Sequence, residues 1–236
     1  MNRPSPFSNI PPVVKNLLII NIIFFIATVL FQRGSYSPLV QWLAVYYFDS
    51  PNFKIWQIIS YMFMHGGWAH IFFNMFALFT FGSSLEYIMG SKRFLNFYLI
   101  TGLGALALQF LVQAIEVYDI AGSITINVNT FTSTDPESIR KLSEIYSSPM
   151  LGASGAIFGL LIAFGMLFPN AELFIIFFPF PVKAKYLIPV YIVLELFLGV
   201  AQFAGDSVAH FAHLGGALFG FILVKLWGLR RPGGFI

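Results

Sequence analysis

Four short stretches of this 236-residue chain place polar side chains where apolar ones dominate. In LGASGAIFG, Leu151 to Gly159, a serine stands between Ala153 and Gly155 at the head of an apolar run. In HGGWAHIFFNMF, His70 and Asn74 are four apart, so they share one helix face, and His65 precedes them. In HFAHLGGALFG, His210 and His213 are three apart, also on one face. Glu195 lies near the middle of a fifth apolar run. These types are the parts of acyl transfer. A serine hydroxyl is a weak nucleophile until a base takes its proton, and a histidine can be that base and return the proton to the leaving amine. A developing oxyanion needs donors fixed in advance. His70, Asn74 and the backbone N–H of Ser154 can supply them.

Each stretch also has a plainer reading. Histidine and asparagine hydrogen-bond between membrane helices. Serine belongs to small-residue seams: Gly152, Gly155 and Gly159 make one, and Gly216 with Gly220, on the face of His213, makes another. Two such seams predict that their helices touch closely, which would bring Ser154 and His213 together. His210 competes with His213 as base, and spacing to the glycines favours His213. A metal pair at the two histidines lacks an evident carboxylate or third histidine to complete the set, so no metal is expected. No acidic residue is evidently placed to orient His213. Asp206 precedes it by seven residues, and a serine–histidine dyad is the expectation. Glu195 reads as protonated and hydrogen-bonded to a neighbour, with a proton relay as the lesser alternative, and Glu86, beside Lys92 and Arg93, as making inner-face contacts. The chain has no cysteine, which excludes thiolate metal sites and a cysteine nucleophile.

These groups must be held by elements that cross lipid. The composition is 58% hydrophobic and 10% charged, against about 25% charged in soluble domains. Six candidate spans run over about 14–32, 66–88, 94–114, 150–168, 186–204 and 208–228. The first is read as a retained span, because no small-x-small cleavage site follows it. The run from Leu173 to Phe180 is short and broken by Pro179 and Pro181, and is read as an interfacial connector. Nine Lys and Arg fall on the side of the termini and four on the other, so both termini are expected in the cytoplasm. Ser154, His213, His70 and Asn74 then sit at one depth near the outer ends of three spans. A segment at about 33–65 has the aromatic density of the headgroup boundary. A second, at about 115–149, is polar. DPESIRKLSEIY within it predicts a short helix capped by Asp135, with Pro136 first and Ile139, Leu142, Ile145 and Tyr146 on one face. A solvated loop is the preferred reading of that segment, and a helix near the substrate entrance is the alternative.

With HGGWAHIFFN, GASG and HLGG followed by a later glycine in this order, the chain resembles the rhomboid intramembrane serine proteases over essentially its whole length. The resemblance implies one domain over 1–236, an all-α, six-transmembrane-helix rhomboid-like bundle. It implies Ser154 as nucleophile, His213 as general base, His70 and Asn74 at the oxyanion, and a structural His65. It also implies a short, sunken fourth span beneath a water-filled cavity. Two departures stand out. The first loop has Trp56-Gln57 where the family often has Trp-Arg, which removes a structural cation. Phe158 replaces a tyrosine that some members place against the histidine.

The expected function is an intramembrane serine endopeptidase that cleaves membrane-anchored proteins in or near helix-destabilised transmembrane segments. It needs the lipid bilayer, no cofactor and no nucleic acid. The expected location is a multi-pass position in a bacterial cytoplasmic membrane. A non-enzymatic escort of membrane proteins would lack the serine or histidine. A transporter would show broken helices or inverted repeats, and none is evident.

Overall fold

The computed structural model describes residues 10–34, 37–127, 131–132, 134–174, 180–201 and 208–231. Its helices are α1 (Pro12–Leu30), α2 (Pro38–Leu43), α3 (Gln57–Ser60), α4 (Trp68–Ala77), α5 (Ser83–Met89), α6 (Ser91–Ala121), α7 (Pro136–Ser147), α8 (Ser154–Leu167), α9 (Ala184–Ala201) and α10 (His210–Leu226). A π-helical segment, Leu78–Gly82, joins α4 and α5 into one 22-residue rod.

All six expected spans are present as helices. Four of them, α1, the α4–α5 rod, α6 and α9, are long and apolar enough to cross a bilayer. The other two are shorter: α8 has 14 residues and α10 has 17. At 1.5 Å per residue α8 is about 21 Å long, less than the ~30 Å of a hydrocarbon core. It is apolar all round and largely buried, as a central helix must be. By contrast α1 and α9 turn Ile19, Ile23, Ile26, Val190, Val193 and Phe197 outward, the surface that lipid would cover. The expected connector lies mostly outside the described residues. Its flanks pair as two short antiparallel strands, β1 (Glu172–Leu173) and β2 (Val182–Lys183).

Small residues set how closely the centre packs. A Cβ added at Gly216 would fall 1.8 Å from the carbonyl oxygen of Gly155, and one at Gly220 would fall 2.7 Å from Cα of Gly159. The two glycine seams therefore face each other rung for rung, and α8 and α10 touch through backbone. The long α6 closes the third side. Ala105 packs on Gly155, Thr101 on Gly159, and the ring of Phe219 on Gly104.

The end of the bundle opposite Ser154 is tied by a carboxylate. Glu86 accepts from the N–H groups of Val13 (3.0 Å) and Val14 (2.8 Å), and from the Ser91 hydroxyl (2.6 Å). It thus satisfies orphan donors at the start of α1 and meets the positive end of that helix dipole. These are the contacts expected of Glu86 at the end of its span beside Lys92 and Arg93.

At the Ser154 end the two long connections pack on each other. The helix from 136 to 147 forms as expected, with Asp135 accepting from the N–H of Glu137 and Ser138. Leu142, Ile145 and Tyr146 are buried and Ile139 is exposed. The solvated-loop reading fails here. Tyr47, Val117, Leu142, Ile145 and Tyr146 form a second core. Asp49 accepts from the Tyr146 hydroxyl at 2.6 Å and from the N–H of Ile126 at 2.8 Å. Burial and this carboxylate push Tyr47 up to about 12 and hold the Tyr146 hydroxyl well above the usual phenol range, so both stay protonated donors. Gln57 does the work expected of a cation. Fully buried, it donates to the carbonyls of Asn52 (3.2 Å) and Trp42 (3.4 Å) and accepts from the N–H of Lys54 (2.9 Å). A neutral amide with both donors and an acceptor suits a buried loop better than an unpaired charge.

Gly216→Ala is expected to destabilise the protein by about 1–3 kcal/mol or more, because the added methyl meets immovable backbone. Gly67→Ala, where an added Cβ meets nothing within 4 Å, leaves stability unchanged. Thermal unfolding of the two variants in detergent measures the difference.

Candidate active site

Ser154 is the first residue of α8, where backbone N–H groups have no partner within the helix. The segment leading to it is fixed from both sides. Val45 and Met150 exchange backbone hydrogen bonds at 2.9 and 2.8 Å, and the N–H of Gly152 donates to the Tyr61 carbonyl at 2.9 Å. The Tyr61 hydroxyl in turn donates to the carbonyl of Gly102 in α6 at 2.7 Å. The first loop thus anchors the chain just before the serine.

His213, in the first turn of α10, brings Nε2 to 2.8 Å from Oγ of Ser154. Its ring stacks on Phe158, with centroids 4.3 Å apart and planes 7° from parallel. The phenyl ring thus packs on the imidazole as a tyrosine ring would, without a hydroxyl. Tyr191 of α9 backs Phe158 at 5.0 Å.

The expectation that no acid orients His213 is overturned. Glu195 of α9, buried at 4% exposure, places Oε2 at 2.9 Å from Nδ1 of His213. The same oxygen lies 2.7 Å from Nδ1 of His210. His210 therefore faces the carboxylate, and His213 is the ring that reaches the serine. Gly199, one turn beyond Glu195, lets α10 approach, since a Cβ there would sit 3.1 Å from Cβ of His210. The reason for setting a metal aside also falls. The donor atoms of Glu195, His210 and His213 lie within 4.8 Å of one another and form a set that sequence spacing did not reveal.

His70 of α4 reaches the same place. Its Nδ1 accepts from the N–H of Gly66 at 3.3 Å, which leaves Nε2 as the protonated nitrogen of a neutral ring. A Cβ at Gly152 would lie 2.9 Å from that Nε2 and 3.4 Å from Oγ of Ser154. The missing side chain of Gly152, at φ +133°, is thus the space between the two groups. His65 is buried and packs edge-on against the His70 ring at 5.1 Å. Asn74 is buried on the same face, and its amide donates to the His70 carbonyl at 2.8 Å. That bond is within its own helix and is not interhelical glue. A cavity of about 550 Å³ opens beside this corner, lined by Gln32, Gln41, His65, Gly66, Trp68 and Leu151 among others.

Sequence reasoning missed Glu195 as a neighbour of His213. The available signal was a lone ionisable residue in an apolar span, which is costly in lipid and therefore has a partner. Its partner depends on the rotation of α9, which periodicity in an all-apolar helix does not fix.

A family model described as Rhomboid domain matches residues 52–230. The chain is 30% identical over 172 residues to Rhomboid protein 1, mitochondrial, of Saccharomyces cerevisiae, covering 70% of this chain and 40% of that protein. It is 30% identical over 182 residues to Rhomboid protease GluP of Bacillus subtilis, covering 76% and 27% respectively. With Putative rhomboid protease YdcA of the same bacterium it shares 29% over 172 residues, 73% and 67% of the two chains. The chain thus spans less than half the length of the first two. These relatives are mitochondrial as well as bacterial, so they lend no support to the expected bacterial origin, while the long apolar helices make this an integral membrane protein. The match over most of its length, on a helical bundle of this form, makes the chain a member of the rhomboid family.

Proposed function

We propose that this protein is an intramembrane serine endopeptidase with Ser154 as nucleophile and His213 as general base. The observation that carries the reading is the 2.8 Å contact between Ser154 Oγ and His213 Nε2, from residues 59 apart in sequence. His213 takes the hydroxyl proton as Oγ adds to a peptide carbonyl. The oxyanion forms in the space beside Gly152, where Nε2–H of His70 and the N–H of Ser154 are donors, and Asn74 steadies His70 from below or donates its second amide proton. His213 then protonates the leaving amine, and water hydrolyses the acyl-enzyme by the same steps.

The form of the bundle supports a reading of the substrate class. Ser154 heads a short buried helix, so a scissile bond reaches it from within or near the bilayer. A transmembrane helix hides its carbonyls in its own hydrogen bonds and must unwind first. Substrates are therefore membrane-anchored proteins with a locally helix-destabilised segment and small residues at the cut. The reaction draws on the lipid bilayer and on side chains of this chain, with no nucleic acid or cofactor.

Ser154→Ala is expected to abolish both cleavage of such a substrate and labelling by a serine-directed phosphonate. His213→Ala should lower kcat by about a thousandfold or more, with His210→Ala less severe. Wild-type labelling of the Ser154 variant, or full activity without His213, overturns the reading. Gly152→Ala should lower kcat by about a hundredfold, the loss typical of one oxyanion donor, because the methyl displaces His70 Nε2. Steady-state kinetics in proteoliposomes measures it.

A further inference from the structure

Glu195 is a buried carboxylate with two histidine nitrogens on one oxygen, and the serine–histidine reaction written above does not use it. Its chemistry bears on the nitrogen of His213 that faces away from the serine. A histidine accepts a hydroxyl proton at Nε2 only when its proton sits on Nδ1. A neutral imidazole free in a pocket divides between two tautomers, and one of them presents an N–H to Oγ and cannot act as base.

We propose that Glu195 is a positioning residue for this reaction: its carboxylate, 2.9 Å from Nδ1 of His213, holds the ring in the tautomer that leaves Nε2 facing Ser154. This rests on the reading of Ser154 and His213 as nucleophile and base. His210 has a definite place in it. Its own Nδ1 lies 2.7 Å from the same Oε2, so in the proposed arrangement that oxygen accepts from both rings and two N–H bonds fix the carboxylate in place. The groups around the ring are His210 on α10, Tyr191 and Glu195 on α9, Ser154 and Phe158 on α8, and His70 from α4. Among the described residues Glu195 is the only carboxylate in that set. As Oγ attacks, its proton moves to Nε2 and the ring becomes an imidazolium. The Nδ1 proton stays on the ring, the carboxylate stays deprotonated, and the new positive charge forms beside a fixed negative one. The Nε2 proton then leaves with the amine, and the pair returns to its starting state. Phe158 fixes the plane of the ring by stacking, and Glu195 fixes its rotation within that plane.

The geometry also explains why the acid comes from α9. That helix is peripheral, with most of its residues outward, and Glu195 and Gly199 occupy its inward face one turn apart. The glycine admits α10 and the glutamate meets it there. The alternative occupant of the cluster is a divalent cation held by Glu195, His210 and His213, and the experiment separates the two.

Wild type, Glu195→Gln, Glu195→Asp and Ser154→Ala are compared in proteoliposomes for kcat, KM, phosphonate labelling and thermal unfolding. Histidine ¹⁵N spectra report the tautomer of His213. Glu195→Gln is expected to lower kcat by about a hundredfold or more while KM stays within about twofold, the pattern of a lost tautomer with binding intact. The His213 signal should change from one protonated at Nδ1 to one protonated at Nε2, and Glu195→Asp should restore part of the rate. A kcat for Glu195→Gln within about twofold of wild type, with Ser154→Ala dead, overturns this proposal alone. Labelling of Ser154→Ala as wild type overturns the reading beneath it. A parallel fall in kcat and unfolding temperature with the His213 tautomer unchanged makes Glu195 a brace and also overturns the proposal. So does activation of wild type by a chelator, with inhibition by added Zn²⁺ that Glu195→Gln abolishes.

Discussion

The backbone contact between α8 and α10 fixes everything at the site. Gly155 follows Ser154 directly, and Gly216 is three residues after His213. Because Gly216 packs on the carbonyl of Gly155 and Gly220 on Gly159, only one register of the two helices is open. That register carries the hydroxyl and the imidazole to 2.8 Å. In lipid there is no hydrophobic drive between helices, so close van der Waals packing of small residues must supply the association. The same contact that holds the bundle together therefore sets the distance on which the proposed chemistry depends. A slip of one helical turn, about 5.4 Å, would separate the pair completely.

The second constraint is the cost of polar groups away from water. Several buried ones in this fold meet definite partners. Glu86 caps the first helix, Gln57 gathers the backbone of the first loop, and the Tyr61 hydroxyl reaches the carbonyl of Gly102. Glu195 follows the same rule with two imidazoles. A charge held in low dielectric by fixed donors does not reorganise when its neighbour changes charge. In the proposed reaction, structural satisfaction and catalytic preorganisation are the same arrangement.

The connections at the Ser154 end act as a frame. The first loop bonds to the strand-like segment before Ser154, and α7 packs on that loop through Tyr47 and Tyr146. Rigidity at this end matters because the proposed oxyanion space beside Gly152 is bounded by three separate pieces of chain: α4, the segment before α8, and α8 itself.

Much of this was legible in the residues. Long apolar runs fix helices, since every backbone group must be satisfied internally in lipid. Facing glycine seams announced the α8–α10 contact, and a polar residue in such a run announces a partner. The helix over DPESIRKLSEIY followed from its cap and its periodicity. What the sequence left open was rotation. Around α9 nearly every residue is apolar, so no periodicity points Glu195 toward His213 or away from it. The role of Gln57 and the cap made by Glu86 were equally hidden, because both depend on which backbone groups come within reach after folding. Residue types and their order determined that a hydroxyl, imidazoles and amides would meet at one depth. Only the tertiary packing decided which atoms face each other, because hydrogen bonds act over 3 Å and a helix turn spans nearly twice that.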